Sequence, residues 1–174
     1  TASVESVAAA EQQEPSVVVS SGQVSQPAPT SDVTPVTPRP WPRTLHMRQL
    51  PAIYGKVWKK AENRQRCPLL GWPATSDLMK GVKPRSAYFG GGWAVAYDRK
   101  GHRSEFGIAG TGVTGPVTYR WPETLRWADG SQADFGLEAG VGPKWLAYVR
   151  VAGSDCLYNV WSARGREHLL TLLS

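Results

Sequence analysis

The most reactive side chains of this sequence are its two cysteines, Cys67 and Cys156. Structural zinc usually needs four ligands, and the sequence offers no CxxC motif and no clustering of its histidines, His46, His102 and His168. We therefore predict no metal site and no cofactor, and a disulfide between the two cysteines rather than two buried free thiols. In the loop-entropy treatment, closing a loop of this length stabilises the fold by about 4 to 5 kcal/mol.

A second chemistry is available if Cys156 is a nucleophile. The segment 154–161, SDCLYNVW, resembles locally the nucleophile segment of papain-like cell-wall amidases, in which an aromatic-rich helix follows the cysteine. The resemblance implies a thiolate at Cys156 and a histidine that serves as its base. Those enzymes place the histidine well downstream, on the sheet, whereas here His168 falls in a predicted terminal helix and His102 precedes the cysteine. A cysteine hydrolase that uses Cys156 and His102 is therefore an alternative to a non-enzymatic protein.

Basic and aromatic side chains are the candidates for binding. Apolar residues recur at helical spacing between residues 52 and 66, and basic residues occupy the other side, which predicts an amphipathic helix with a basic face. An arginine and a tryptophan precede Pro122 in a predicted loop. Such surfaces either contact an acidic partner or are simply solvated. The candidate binding residues are Lys56, Lys59, Lys60, Arg66, Arg120 and Trp121.

The tryptophans divide between core and loops. All eight lie from Trp41 onward, and Trp41, Trp72 and Trp121 each precede a proline in segments without regular periodicity. We expect some of these rings in surface loops, where they stack on sugars, bases or partner side chains; the alternative is a second small core. Asp98 and Asp129 are expected to be turn residues rather than paired catalytic carboxylates.

The strands that must position these residues are predicted from a period of two and from turn signals. Residues 93–98 alternate, residues 98–101 supply a turn, and a second strand follows over residues 102–108. Residues 127–131 and 152–155 predict two further hairpin turns. The middle of the chain is therefore expected to be antiparallel sheet.

A helix is predicted to close the chain, over residues 164–174, with Ser162 as its N-cap. The glycine- and proline-rich stretches 71–92 and 107–124 are predicted to be long loops, which are common places for binding sites. The resulting fold class is α+β, with an antiparallel β-sheet meander flanked by an N-terminal and a C-terminal helix that pack on one face of the sheet.

The chain divides into a tail and a domain. Residues 1–42 lack periodicity and end in a proline-rich run, which predicts a disordered tail that acts as a tether or binds a partner chain. Residues 43–174 are expected to form a single basic, Trp-rich domain. The tail holds four acidic residues and one arginine, so the domain carries +9 within a whole-chain net charge of +6. A charge of this sign favours acidic partners.

These features together predict an exported protein, periplasmic or at the cell surface, with import into an organelle as the alternative. No apolar run is long enough to span a bilayer, and a signal, transit or lipid-anchoring segment, as in a lipoprotein, is expected before residue 1. We expect a non-enzymatic binding or assembly module of the cell envelope that contacts an acidic protein or a glycan. The alternatives are the cysteine hydrolase and a nucleic-acid-binding domain that acts through its positive charge.

Overall fold

The computed structural model describes residues 47–111, 120–138 and 144–174. Over these ranges the chain forms a seven-stranded antiparallel sheet and two α-helices, which confirms the predicted α+β class. The predicted tail, residues 1–42, lies outside the described residues. The elements are α1 (Ala52–Lys60), β1 (Val82–Ala87), β2 (Trp93–Arg99), β3 (His102–Gly110), β4 (Glu123–Arg126), β5 (Gln132–Leu137), β6 (Trp145–Arg150), β7 (Leu157–Ser162) and α2 (Arg166–Leu173).

The strand order differs from the single meander that the sequence predicts. The three predicted hairpin turns are present, but the order across the sheet is β1-β2-β3-β7-β6-β5-β4. Strands β1 to β3 and strands β4 to β7 form two ladders in chain order, and β3 joins them by pairing with β7, with Phe106 opposite Ser162 and Gly110 opposite Tyr158. Local turn signals specify neighbouring pairs only, because the pairing of distant strands depends on which surfaces are buried together.

Both helices pack on the same face of the sheet, as predicted; we call it the helix face. Alternate residues of a strand point to opposite faces, so Trp93, Val95 and Tyr97 of β2 all point to this one. The hydroxyl of Tyr54 in α1 lies 3.0 Å from that of Tyr97. Near the end of the chain, α2 contributes buried leucines such as Leu169 to the same core.

Cys67 and Cys156 form a disulfide with 4.8 Å between their Cα atoms, which confirms the predicted pair. The bond ties the loop after α1 to the start of β7. Two indole groups hold the Cys67 backbone in place, because its carbonyl accepts hydrogen bonds from Trp58 Nε1 at 3.1 Å and from Trp93 Nε1 at 3.2 Å. The disulfide is therefore embedded in the aromatic part of the core, where it fixes the position of the helix end.

The first helix is shorter than predicted. It ends at Lys60, and Ala61 already has extended backbone geometry, so Arg66 lies in the following turn rather than on the helix. The cause is Asn63, which is buried and whose side-chain Nδ2 donates to the Gly110 carbonyl at 3.2 Å and to the next carbonyl at 2.6 Å. These contacts with β3 draw the chain out of the helical path, because a buried amide must be hydrogen-bonded.

The second helix also begins later than predicted. Ser162 is the last residue of β7, and the N-cap of α2 is Gly165, which has a φ of 93°. The Ser162 hydroxyl is nevertheless used locally, since its Oγ accepts a hydrogen bond from the backbone N–H of Arg164 at 3.0 Å. Gly165 provides a positive φ that other residues adopt only with strain, and this geometry redirects the chain from the sheet into the helix.

Two stretches predicted to be loops contain sheet. Strand β1 lies within residues 71–92, and β3 continues to Gly110 instead of ending at residue 108. In β3 the glycines are sites of ring packing rather than flexible points: a Cβ on Gly107 would overlap the ring of Trp161, and one on Gly110 would lie 2.5 Å from Nε1 of Trp93. Close approach of an indole explains why glycine occupies these strand positions.

Trp72 lies outside regular structure, as predicted, but it is a core residue and not a surface contact. Only 6% of it is exposed. Its ring packs edge-on against Tyr97 and Phe106, with centroid distances of 5.9 and 5.6 Å, and its Nε1 donates to the Leu172 carbonyl at 2.9 Å. Trp72 thereby connects α2 to the helix face of the sheet. Trp41 lies outside the described residues.

Candidate functional site

A groove runs between α1 and the connection that joins β1 to β2. Its volume is about 470 Å³. Lys56 and Lys60 of α1 form one wall, and Tyr88 and Phe89 form the other. We call this feature the lysine groove. Its remaining lining residues are Ile53, Val57, Ala61, Glu62, Ser86, Ala87, Gly91, Gly92 and Trp93.

The aromatic wall is held by a tight turn. Gly91 has a φ of 68°, and the N–H of Gly92 donates to the Phe89 carbonyl at 2.8 Å. A second hydrogen bond fixes this turn to the loop after α1, because the backbone N–H of Asn63 donates to the Gly91 carbonyl at 3.2 Å. The turn leaves Tyr88 90% exposed, although the hairpin that carries it is anchored.

The basic wall follows from helical geometry. Lys56 and Lys60 are one turn apart, so their side chains lie on the same side of α1, and both are exposed. The carboxyl group of Glu62 offsets one of the two charges. Lys59 is also exposed but does not line the groove. The arrangement offers two ammonium groups, an exposed phenol ring and an aliphatic floor, which together suit a ligand with both carboxylates and an apolar group.

The predicted binding residues divide between two separate surfaces. Lys56, Lys59 and Lys60 are exposed on the helix-face side, and Arg66 is exposed in the nearby turn. Trp121 lies instead on the opposite face, where its ring meets Tyr148 at 5.1 Å between centroids. Arg120 precedes it and is exposed. Charge and loop composition suggest a single surface, but the contact with Tyr148 places Trp121 on the face of the sheet opposite α1.

The predicted catalytic pair is not brought together. Cys156 Sγ is bonded to Cys67 and therefore carries no thiol. His102 begins β3, whereas the other end of this nine-residue strand, Gly110, lies opposite Tyr158, beside Cys156. A strand of that length spans about 26 Å, so His102 is far outside hydrogen-bond reach of the sulfur. This geometry gives the cysteine-hydrolase alternative no support.

Buried phenols are the other titratable groups of the core. Burial raises the pKa of Tyr97 to about 12 and that of Tyr158 to about 12, and it raises the pKa of Tyr54 well above its ordinary value. These hydroxyls are neutral near pH 7 and act as structural hydrogen-bonding groups: Tyr158, for example, donates to the Pro68 carbonyl at 3.0 Å. Within residues 47–111, 120–138 and 144–174, no three His, Cys, Asp or Glu side chains lie close enough to hold a metal ion.

Sequence reasoning missed two features of the surface. Tyr88 and Phe89 fall in a stretch predicted to be a loop, and their only signal is an aromatic pair before three glycines. The second feature is a cluster of arginines around Glu105, formed by the turn between β2 and β3 and the residues before α2. The sequence shows part of this cluster as the basic run at residues 99–103. It does not indicate that Arg164, which is distant in the sequence, belongs to the same cluster.

Comparison with known proteins returns no match: no family model, no curated protein and no solved structure is similar to this chain. Across the described parts of the chain, no helix has both the length and the apolar character needed to cross a membrane.

Proposed function

We propose that this protein is a non-enzymatic binding module of the cell envelope, and that the lysine groove takes an acidic, extended segment of a partner protein. The observation that carries the proposal is the position of Tyr88, which is 90% exposed and lines the groove together with Lys56 and Lys60. Exposed aromatic rings beside cationic side chains are common contact residues in protein interfaces.

The lining of the groove favours a peptide over a glycan or a nucleic acid. Ile53 and Val57 provide an aliphatic floor, which suits an apolar side chain better than a hydroxyl-rich sugar or a phosphate backbone. The two lysines act as flexible point charges for carboxylates that flank such an anchor. An acidic segment with one aromatic or aliphatic residue therefore matches both walls and the floor.

Export is proposed from two features. A disulfide in a chain of this size is typical of oxidising compartments, such as the periplasm or the cell surface. On its composition, the segment 1–42 serves as a tether that holds the domain away from its anchor, because proline-rich segments are extended spacers. A binding module presented in this way reaches a partner in the envelope without being embedded in it.

A labelled acidic peptide tests the proposal. We would measure its binding to the full chain by fluorescence polarisation, using a Glu- and Asp-rich peptide with one phenylalanine, at two ionic strengths. The variant Lys56→Glu with Lys60→Glu reverses both charges of the groove, and we expect it to weaken binding by at least about tenfold, or about 1.4 kcal/mol. Folding should be unaffected because both side chains are exposed.

The matched control is Lys59→Glu with Arg66→Glu, which makes the same change in net charge at exposed positions outside the groove. We expect a smaller loss of affinity, because neither side chain lines the groove and a charge without a direct contact acts only through a field that salt screens. Equal losses in the two double variants would contradict a groove contact. Absence of peptide binding together with tight binding of a single-stranded oligonucleotide would favour the nucleic-acid alternative instead.

A further inference from the structure

Next to the turn between β2 and β3, the pairing of the two strands is irregular. Tyr97 lies opposite Phe106 and Arg99 lies opposite His102, so β3 has two more residues than β2 between these pairs. Ser104 takes a φ of 56°, which is rare for a residue with a side chain, and its N–H donates to Asp98 Oδ1 at 2.6 Å. Bulges and backbone strain of this kind concentrate beside binding sites.

Glu105 is the buried centre of the region. Its side chain is 8% exposed, and each of its oxygens faces an arginine: Arg99 Nε donates to Oε2 at 2.7 Å, and Arg164 Nε lies 3.4 Å from Oε1. In both arginines, Nε is the atom that contacts Glu105. Nη1 of Arg99 also donates a hydrogen bond to the Lys80 carbonyl at 3.4 Å. Among the described residues, no hydrogen bond uses the Nη atoms of Arg164.

More positive charge is gathered here than Glu105 balances. An open pocket of about 660 Å³ is lined by Arg99, Arg103 and Arg164, with Glu105 as its carboxylate, which leaves a net charge of +2 when His102 is neutral. The exposed Arg103 side chain makes no hydrogen bond within the described parts of the chain. We call this feature the arginine pocket; its other lining residues are Gly101 and Ala163.

Asp98 is the acidic side chain nearest to this turn in the sequence, and the fold already uses it. Burial acts to raise the pKa of Asp98, but the hydrogen bonds from the Ser104 backbone and from Arg85, with the charges of Arg85 and Arg103, outweigh it and lower that pKa below its ordinary value. Arg85 Nε is paired with Asp98 at 2.7 Å. Asp98 is therefore already paired with Arg85 and with the Ser104 backbone, and it offsets only part of the charge of Arg103.

We propose that the arginine pocket is a binding site for a dianionic oxyanion of the phosphate class, held by Arg103 and Arg164 beside the Glu105-anchored Arg99. Guanidinium groups match the geometry of tetrahedral oxyanions, since two N–H groups of one arginine reach two oxygens. The buried carboxylate holds the guanidinium group of Arg99 by a hydrogen bond before a ligand arrives, which lowers the entropic cost of binding.

The site is distinct from the lysine groove, and the inference does not rest on the proposed function. Trp93 lines the groove and Arg99 lines the pocket, and these residues stand at opposite ends of the seven-residue strand β2, about 20 Å apart. A separation of this size exceeds the screening length at physiological salt, so the two sites bind their ligands without direct electrostatic coupling.

The experiment is an NMR titration of the ¹⁵N-labelled full chain near neutral pH with sodium sulfate and with inorganic phosphate. We expect saturable shifts of the amide signals of Gly101, His102, Arg103 and Ala163, and no comparable shifts with sodium chloride at matched ionic strength. Glycerol 3-phosphate distinguishes the source of the phosphate. Binding of this ester assigns the pocket to a phosphorylated partner, whereas its exclusion, with inorganic phosphate still bound, assigns the pocket to free phosphate.

Two conservative variants provide the decisive comparison. Arg103→Gln and Arg164→Gln should each weaken sulfate binding by about tenfold, equivalent to about 1.4 kcal/mol. Arg126→Gln removes an exposed arginine of β4 outside the pocket and should leave the affinity unchanged. Shifts that do not saturate, shifts equal to those with chloride, or wild-type affinity in a folded Arg103→Gln, Arg164→Gln double variant would each overturn the proposal.

Discussion

The lysine groove and the arginine pocket are both basic, but they present their charge in different ways. Lys56 and Lys60 extend from one side of α1 on long stems, and both are exposed. In the pocket, Arg99 and Arg164 form ion pairs with the buried carboxylate of Glu105. One surface therefore carries its charge on exposed helical side chains beside an exposed ring, and the other carries part of its charge on an arginine that a buried carboxylate holds.

This difference separates two kinds of recognition. Flexible ammonium groups adapt to carboxylates at variable spacing and act largely through a field that salt weakens, which suits an acidic peptide. Oriented guanidinium groups favour a ligand of a given shape and depend less on ionic strength than on the placement of hydrogen bonds. Net charge alone, which is equally compatible with both, does not distinguish a peptide groove from an oxyanion site.

The largest expected effect comes from removing the disulfide, which supports one region and not the other. Cys67→Ala with Cys156→Ala should lower the free energy of unfolding by about 2–5 kcal/mol, because the cross-link no longer restricts the unfolded chain. Urea denaturation measures this loss. Cys67 follows α1, so acidic-peptide affinity should also fall, while sulfate binding at the far end of β2 should be retained under conditions in which the variant is folded.

Hydrogen exchange adds a local test of the same variant. Amides between residues 61 and 67 should exchange faster relative to those of β5, since the loop after α1 loses its covalent anchor. Equal acceleration throughout the sheet, with both ligand affinities reduced alike, would show that the disulfide supports the fold as a whole and would remove the distinction between the two regions.

A smaller effect is expected from acid, and it acts through His168, whose pKa is influenced by three residues of the arginine pocket. Burial lowers the pKa of His168, and the charge of Arg164 acts in the same direction, as does Arg99, while Glu105 opposes them. Nδ1 of His168 lies 2.8 Å from Ser162 Oγ. The unfolded chain has the higher histidine pKa, about 6.5, so stability is complete above that pH and decreases as the pH falls through the folded-state pKa.

The measurement is the urea midpoint between about pH 7 and pH 5, the window in which histidine titrates. His168→Gln keeps a hydrogen-bonding side chain without the titrating ring, and it should flatten the dependence of stability on pH. A His168→Gln protein that loses stability with acid as steeply as the wild type would assign the effect to other groups.

The smallest effect on stability is expected at Tyr88. With 90% of this residue exposed, Tyr88→Ala should change the free energy of unfolding by less than about 0.5 kcal/mol. Acidic-peptide affinity should nevertheless fall at least about fivefold, because a contact ring is lost. Tyr88→Phe is the control that keeps the ring, and it should bind nearly as well as the wild type. Unchanged peptide affinity in Tyr88→Ala would show that the groove binds the peptide through its charges and not through this ring.

The sequence predicts those parts of the fold that depend on local signals. The hairpin turns follow from Asp and Gly at fixed spacing, and Asp129 Oδ1 does accept the Ser131 N–H at 2.9 Å. Strand β1 is missed because Lys83, Pro84 and Arg85 are typical of a loop. They are tolerated in an edge strand, where a missing N–H can face solvent and charged side chains discourage association with other sheets.

The candidate sites are predicted only in part, for a related reason. The exposed lysines of α1 follow from helical periodicity, whereas the ring that faces them is brought there by a glycine turn anchored on Asn63. The contact between Glu105 and Arg164 joins β3 to the start of α2, and it follows from the pairing of β3 with β7. Contacts of this kind depend on the strand order, and local sequence patterns do not encode that order.

The pairing of β3 with β7 has a consequence for how the chain folds. Each of the two ladders can form from neighbouring strands as they are synthesised, but the seam between them requires residues far apart in the chain to meet. Such long-range pairing carries a loop-closure cost and is a slow step of folding. Cys67 and Cys156, 89 residues apart, lie on either side of this seam. In an oxidising compartment, their disulfide therefore adds a covalent link between the segments on the two sides of this seam.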